Sequence, residues 1–85
     1  MKTFTYTIKD ELGIHARPAG MLAKTAKALD SDITIACGEK SAAATKLMAL
    51  MGMGIKCGDT ITVTINGGDE TASEKAMQEF FKANL

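Results

Sequence analysis

The sequence predicts an α+β fold, an open-faced β-sandwich with the order β-α-β-β-α-β-α, in which a four-stranded antiparallel sheet carries three helices on one face. Strand-like segments such as Thr60 to Asn66 alternate apolar residues with threonine, which is typical of a sheet with one face in solvent. Other segments repeat apolar residues every three or four positions, as helices do. Because 85 residues suffice for one core, residues 1–85 are expected to form a single domain.

The first half of the chain contains two predicted strands and one helix. Apolar residues and threonines alternate from Thr3 to Ile8, which predicts the first strand. Gly13 gives the backbone freedom for a turn, and helical spacing then extends from Ala16 to Leu29. A second strand is predicted from Asp32 to Cys37, and it is followed by a three-residue hairpin loop, Gly38 to Lys40.

The second half contains the remaining two strands and two helices. Ser41 to Ala44 is predicted as a short strand, although its alanine run also suits a helix. Thr45 is the expected N-cap of a short helix, Lys46 to Met51, and a glycine-rich loop separates this helix from the strand at Thr60 to Asn66. The last helix begins near Asp69, where negative charge suits the helix dipole. Its expected core face is Ala76, Met77, Phe80 and Phe81.

The overall composition restricts the class of function. Ten acidic and ten basic residues give no net charge, and the four aromatic residues are not interleaved with basic ones, which argues against nucleic acid as the main partner. No apolar run approaches the roughly 20 residues that span a bilayer. The first residues alternate instead of forming the apolar run of a secretory signal. We therefore expect a cytoplasmic protein without direct membrane insertion, whose partner is another protein.

The two cysteines are expected to be reduced thiols in the core. Cys37 and Cys57 lack CxxC spacing, and they do not form a metal-ligand pattern with His15. No metal or other cofactor is therefore expected.

The stretch from Gly13 to Pro18 contains the only histidine and the only proline, where the first helix begins. The first turn of a helix has unpaired N–H groups that attract negative charge. Since Pro18 has no N–H, the backbone donors nearest His15 are those of Ala16 and Arg17. The Arg17 guanidinium suits phosphate oxygens, and neutral imidazole is a nucleophile. The pattern favours a phosphoryl group carried on His15 over the alternative that His15 only caps the helix.

Two surfaces near this stretch could bind a partner. On the first helix, Gly20, Lys24 and Lys27 continue from Arg17 as a basic strip, which is either a solvated face or a docking face for an acidic protein. The short middle helix is apolar almost all round, so part of it must be exposed. Its flexible methionines either fill gaps in the core or contact partners. The residues concerned are Leu47, Met48 and Met51.

The motif Gly13 to Ala19, followed by Lys46 to Ile55, resembles the HPr family, the histidine-containing phosphocarriers of the bacterial sugar phosphotransferase system. The resemblance covers essentially the whole chain. It implies that His15 takes phosphate on Nδ1 from phosphorylated enzyme I, which phosphoenolpyruvate charges, and passes it to IIA domains of sugar permeases. Arg17 would assist the transfer. It also implies a monomeric carrier, not an enzyme, that docks partners through Gly20, Lys24, Lys27, Leu47, Met48 and Met51.

Two positions depart from the family pattern. Lys46 replaces the usual serine, which a regulatory kinase phosphorylates in many Gram-positive bacteria, so that branch of regulation is expected to be absent. Lys46 is expected to extend the basic docking face instead. Leu12 replaces a residue that is often small and polar, so no side-chain assistance is expected from that position.

Two further hypotheses remain open at the level of sequence. One is a specialised phosphocarrier that still uses His15 but serves a regulatory or nitrogen-linked chain. The other is a binding module of similar fold, such as a metal carrier, although the spacing of His15 and the cysteines disfavours it.

Overall fold

The computed structural model describes residues 1–85 and has four strands and three helices in the predicted order. One antiparallel sheet contains all four strands in the spatial order β1-β4-β2-β3. This confirms the predicted fold class. The elements are β1 (Lys2–Thr7), α1 (Ala16–Lys27), β2 (Asp32–Cys37), β3 (Lys40–Ala43), α2 (Leu47–Gly52), β4 (Thr60–Asn66) and α3 (Glu70–Asn84).

The two faces of the sheet follow the alternation in the sequence. Thr3 pairs with Thr64 and Thr7 pairs with Thr60 on the open face, where the hydroxyls of the latter pair are 3.0 Å apart. On the other face Ile61 is fully buried, as are the other residues of β4 that point to this face. The helices cover this apolar face with side chains such as Leu22, Leu50 and Phe81, and the core includes residues from all three helices. No helix is both long and apolar enough to cross a membrane.

The first strand and the first helix differ slightly from their predicted bounds. β1 ends at Thr7, and Ile8 instead exchanges backbone hydrogen bonds with the loop before β4, while its side chain remains buried. α1 ends at Lys27, two residues before the predicted end at Leu29. The Leu29 N–H bonds to the carbonyl of Ala26, three residues back, so the last turn tightens and the helix stops. Leu29 still packs against the core.

The hairpin between β2 and β3 is shorter than predicted. Because Cys37 pairs with Lys40, the loop contains two residues, Gly38 and Glu39, and the expectation of three was wrong. Gly38 has a φ of +62°, as the first central residue of a type II′ turn requires. The following segment is a strand, not a helix, because its backbone pairs with β2. It begins one residue before the predicted Ser41, and the N–H of Ala44 extends the pairing to Ile33.

The N-cap predicted for α2 was wrong, whereas α3 begins at the predicted position. Thr45 does not cap α2: the N-cap is Lys46, whose side chain makes no capping bond. Asp69 does cap α3, where its carboxylate accepts the N–H of Ala72 at 3.2 Å. The adjacent Glu70 accepts a hydrogen bond from the Met1 amino group and another from the Gly67 N–H, and both lower the pKa of this carboxyl. These hydrogen bonds stabilise the negative charge of Glu70 at the start of α3, where the helix dipole also favours it.

The core face of α3 also contains a polar residue. Ala76 is only half-buried, whereas Ser73 is buried beside Met77, Phe80 and Phe81. The Ser73 hydroxyl is 2.8 Å from that of Ser31, which donates to the Gly67 carbonyl. The expectation that Ala76 belongs to the core face was therefore wrong, and Ser73 belongs to it instead. A serine can be buried when its hydroxyl has a hydrogen-bond partner, and apolar spacing alone does not indicate such a residue.

Candidate functional site

His15 is the N-cap residue of α1, where extended backbone meets the helix. Its φ of −105° and ψ of −174° are extended, and its carbonyl accepts the N–H of Ala19 at 2.9 Å, the first bond of the helix. The imidazole makes no capping hydrogen bond, and its side chain is 37% exposed. The ring is thus accessible and not engaged in holding the helix together.

The first turn of α1 leaves two backbone donors free. No hydrogen bond within the protein engages the N–H of Ala16 or Arg17, and Pro18 has none to offer. No acidic residue lies in this first turn, so the positive end of the helix dipole is not neutralised within α1. An anion could therefore bind here through two N–H groups and the exposed Arg17 side chain.

A shallow depression of about 240 Å³ adjoins the His15 ring. The first turn of α1 forms one wall, through Arg17 and Pro18, and the end of α3 forms another. The structure therefore brings the C-terminal part of the chain to the predicted site, which the sequence pattern did not show. The remaining lining residues are Asp10, Met21, Ala83 and Asn84.

Asp10 is the lining residue that sequence reasoning missed and that has the clearest chemical consequence. Its Oδ1 lies 3.8 Å from Nε2 of His15 and also accepts the N–H of Leu12 at 2.9 Å. The Asp10 N–H in turn donates to the carbonyl oxygen of Leu85, after α3, at 2.9 Å. One hydrogen bond therefore orients this carboxylate near the ring, and the other holds the backbone of Asp10 in place. An aspartate whose carboxylate accepts the N–H two residues further on forms an Asx-turn. An aspartate in the turn before His15 is a sequence signal for such a motif and could have identified Asp10 as a site residue.

The loop before His15 is held against the loop after α2. Gly13 has a φ of +68°, and a Cβ on it would lie 2.2 Å from the carbonyl oxygen of Ile55. The next residue, Ile14, donates its N–H to that same oxygen at 3.1 Å. Only glycine permits so close an approach of the two loops. Gly13 is therefore required both for its backbone conformation, as predicted, and for its lack of a Cβ.

A second, larger depression of about 760 Å³ lies between α1 and α2, and we call it the α1–α2 groove. It brings together most of the residues predicted to dock a partner, from two helices that are distant in sequence. Met48 is 77% exposed, Leu47 and Met51 are partly exposed, and Leu50 alone points into the core. Met51 is not among the lining residues. These are Gly20, Ala23, Lys24, Lys27, Thr45, Lys46, Leu47, Met48 and Ala49.

The cysteines differ from one another in their surroundings. Both are free thiols, but only Cys37 packs against the core, while Cys57 is exposed. The expectation that both are core residues was wrong for Cys57, because the loop before β4 lies at the surface. No three side chains among His, Cys, Asp and Glu form a group that could hold a metal ion.

Comparison with known proteins gives a consistent family assignment. The family model described as the PTS HPr component phosphorylation site matches residues 2–83. The phosphocarrier protein HPr of Mycoplasma capricolum subsp. capricolum is 39% identical over 79 residues, which is 93% of this chain and 89% of that protein.

Solved structures agree with this result. A mycoplasma histidine-containing phosphocarrier protein superposes with a TM-score of 0.89 at 38% identity, covering 93% of this chain and 90% of the other. HPr from Thermoanaerobacter tengcongensis superposes with a TM-score of 0.91 at 31% identity, covering 98% and 93%. These matches span both the site at His15 and the α1–α2 groove. The chain therefore belongs to the HPr family, the phosphocarrier proteins of the phosphotransferase system that serves sugar transport.

Proposed function

We propose that His15 is the residue that carries the phosphoryl group. It accepts the group on Nδ1 from phosphorylated enzyme I, which phosphoenolpyruvate charges, and passes it to IIA domains of sugar permeases. The observation that carries this proposal is the 37% exposed imidazole at the start of α1, next to two unpaired N–H groups. Phosphoenolpyruvate is a cytoplasmic metabolite, so we propose that the protein acts there, as a monomer of one domain.

The transfer needs no cofactor and no separate base. The lone pair of neutral Nδ1 forms a bond to phosphorus while the bond from phosphorus to the donor atom of enzyme I breaks, and that donor atom keeps the electron pair. In this proposal the unpaired N–H groups of Ala16 and Arg17, together with the Arg17 guanidinium, bind the phosphoryl oxygens. Two amides and one exposed side chain bind an anion less tightly than a closed cage of donors. This suits a group that must be released again.

The experiment that tests the function is phosphorylation by purified enzyme I and phosphoenolpyruvate. A phosphoramidate on histidine is labile in acid and stable in base, in contrast to a phosphate ester on serine or threonine. We therefore expect a phosphorylated protein that loses its label in acid and retains it in base. Transfer of the label onward to a purified IIA domain tests the second half of the proposal. An acid-stable adduct would contradict the assignment to histidine.

We further propose that partners dock over the α1–α2 groove. Lys24 and Lys27 line it from α1, and Lys46 lines it at the N-cap of α2, so the groove combines three cations with the exposed side chains of Leu47 and Met48. Apolar contacts with a basic margin fit an acidic protein surface of mixed character. One side of the groove is formed by α1, whose N-cap is His15, so a partner bound there could reach the ring.

Charge reversal at Lys46 tests this docking surface. Lys46→Glu is expected to slow phosphorylation by enzyme I about threefold to tenfold at low salt, and the deficit should shrink as salt is raised. The fold should not suffer, because a negative residue at the N-cap of α2 stabilises that helix by about 0.3 to 1 kcal/mol. Steady-state rates at several salt concentrations provide the measurement.

Lys75→Glu is the matched control for this prediction. Lys75 is an exposed residue of α3, and its reversal changes the net charge by the same amount. Its rate should remain at the level of the unmodified protein. If both variants are equally slow, total charge and not the groove determines the encounter.

The same position bears on regulation. Lys46 cannot be phosphorylated by a serine kinase, and we propose that this protein lacks that branch of control. Ser41 and Thr45 are hydroxyl residues nearby, but Ser41 lies in β3 and Thr45 lines the groove, so neither occupies the N-cap of α2.

A further inference from the structure

We propose that Asp10 is a positioning residue for phosphoryl transfer, whose negative charge stabilises a proton on Nε2 of His15 so that Nδ1 reacts and the phosphorylated ring remains a good leaving group. This inference rests on the proposed function of His15. It adds a residue that lies outside the helix and outside the motif around the histidine.

The geometry supports a specific partner for one ring nitrogen. Oδ1 of Asp10 lies 3.8 Å from Nε2, which is within ion-pair distance but longer than a hydrogen bond. The Leu12 N–H donates to this carboxylate, and the backbone N–H of Asp10 donates to the carbonyl oxygen of Leu85. Because these bonds hold Asp10 in place, its carboxylate does not need to be ordered when the ring becomes charged. A negative group beside Nε2 also repels a phosphoryl group there, which favours attack through Nδ1.

The other groups around the ring do not duplicate this role. Arg17 is the only other charged residue that lines the depression, and its charge is positive, opposite to that of Asp10. The wall formed by α3 presents Ala83 and Asn84, which carry no charge. Asp10 is therefore the one lining group that can stabilise a positive imidazole.

The proton on Nε2 matters in both directions of the reaction. Neutral imidazole has one proton, and with that proton on Nε2 the lone pair of Nδ1 is free to attack phosphorus. Once the Nδ1–P bond has formed, the ring bears a positive charge that the Asp10 carboxylate stabilises. When the phosphoryl group leaves for an acceptor nucleophile, the bonding pair returns to Nδ1 and the ring departs as neutral imidazole. If Nε2 had lost its proton, the leaving group would be the far more basic imidazolate anion.

The variant Asp10→Asn removes the charge while preserving the shape. An asparagine Oδ1 can still accept the Leu12 N–H, so the turn should remain folded, as circular dichroism would check. Glu11→Gln is the matched control, because Glu11 is an adjacent exposed carboxylate that does not line the depression. Both variants change the net charge equally.

The main measurement is the rate of hydrolysis of the phosphorylated protein as a function of pH. The labile form has Nε2 protonated. Removing the Asp10 carboxylate destabilises that form, so the midpoint of the profile should move to lower pH by about half a unit to one unit. At pH above the midpoint, Asp10→Asn should also transfer phosphate to a IIA domain about threefold to tenfold more slowly. Glu11→Gln should give the unmodified profile.

A second measurement does not require phosphorylation. Nitrogen-15 NMR of the free protein should show the Nε2–H tautomer of His15 more populated in the unmodified protein and in Glu11→Gln than in Asp10→Asn. An Asp10→Asn protein with unchanged tautomer ratio and unchanged pH midpoint would overturn the role of Asp10. If enzyme I phosphorylates none of the proteins, the proposed function fails, and the tautomer ratio still decides whether Asp10 stabilises the proton on Nε2.

Discussion

His15→Ala is expected to abolish phosphorylation by enzyme I and phosphoenolpyruvate, leaving no acid-labile label above background. The chain has one histidine, so no second imidazole can take its place. The free N–H groups at the start of α1 would remain, but they can bind an anion only and offer no nucleophile. The loss should therefore be complete and should not be recovered by higher enzyme concentration or longer incubation.

The same substitution should leave the fold nearly unchanged. The imidazole makes no capping hydrogen bond and is partly exposed, and only the carbonyl of His15 takes part in the helix. The free energy of unfolding should change by no more than about 0.5 kcal/mol, as urea denaturation can measure. Label that persists in His15→Ala would show that another residue is the acceptor. A folded protein without label would separate loss of chemistry from loss of structure.

Gly13→Ala is expected to damage both the fold and the transfer reaction. A Cβ at this position would lie 2.2 Å from the carbonyl oxygen of Ile55 and 2.6 Å from Cα of Lys56, and both are backbone atoms that cannot rotate away. The residue also has a φ of +68°, which costs a non-glycine residue about 1 kcal/mol or more. We expect a total loss of about 2 to 4 kcal/mol in unfolding free energy. The bond from Ile14 to Ile55 should break, and the turn that places His15 should shift.

Gly54→Ala separates the two causes. Gly54 has nearly the same φ, +66°, but a Cβ on it would meet nothing within 4 Å. Its loss of stability should be limited to the backbone term of about 1 kcal/mol. Urea denaturation of both variants gives the comparison, and phosphorylation rates should fall further in Gly13→Ala. Equal losses in the two variants would show that the close approach of the loops contributes little.

The sequence determined the parts of this protein that depend on local interactions. Alternation of apolar residues with threonine placed β4 over Thr60 to Asn66 with its observed bounds, because successive side chains of a strand point to opposite faces. The start of α1 at Ala16 followed from Pro18, because proline is tolerated within a helix only in its first turn. The single histidine at that junction likewise identified the candidate site without coordinates.

Local patterns were less informative where helix ends and caps depend on neighbours. Thr45 has a suitable side chain for a cap but lies one residue before the N-cap position, since pairing between β3 and β2 continues to Ala44 and leaves Lys46 as the N-cap of α2. Likewise the buried Ser73 was overlooked, because its hydrogen-bond partner Ser31 lies 42 residues away.

Only the tertiary structure decided what surrounds the His15 ring. Ala83 and Asn84 line the same depression because α3 packs back across the sheet and ends beside α1. Asp10 is five residues from His15, yet its position depends on a hydrogen bond to Leu85, at the opposite end of the chain. Such contacts join segments that meet through burial of apolar surface far from the site, and no spacing along one segment encodes them. The sequence thus names the candidate acceptor residue, while packing decides which charge lies beside it.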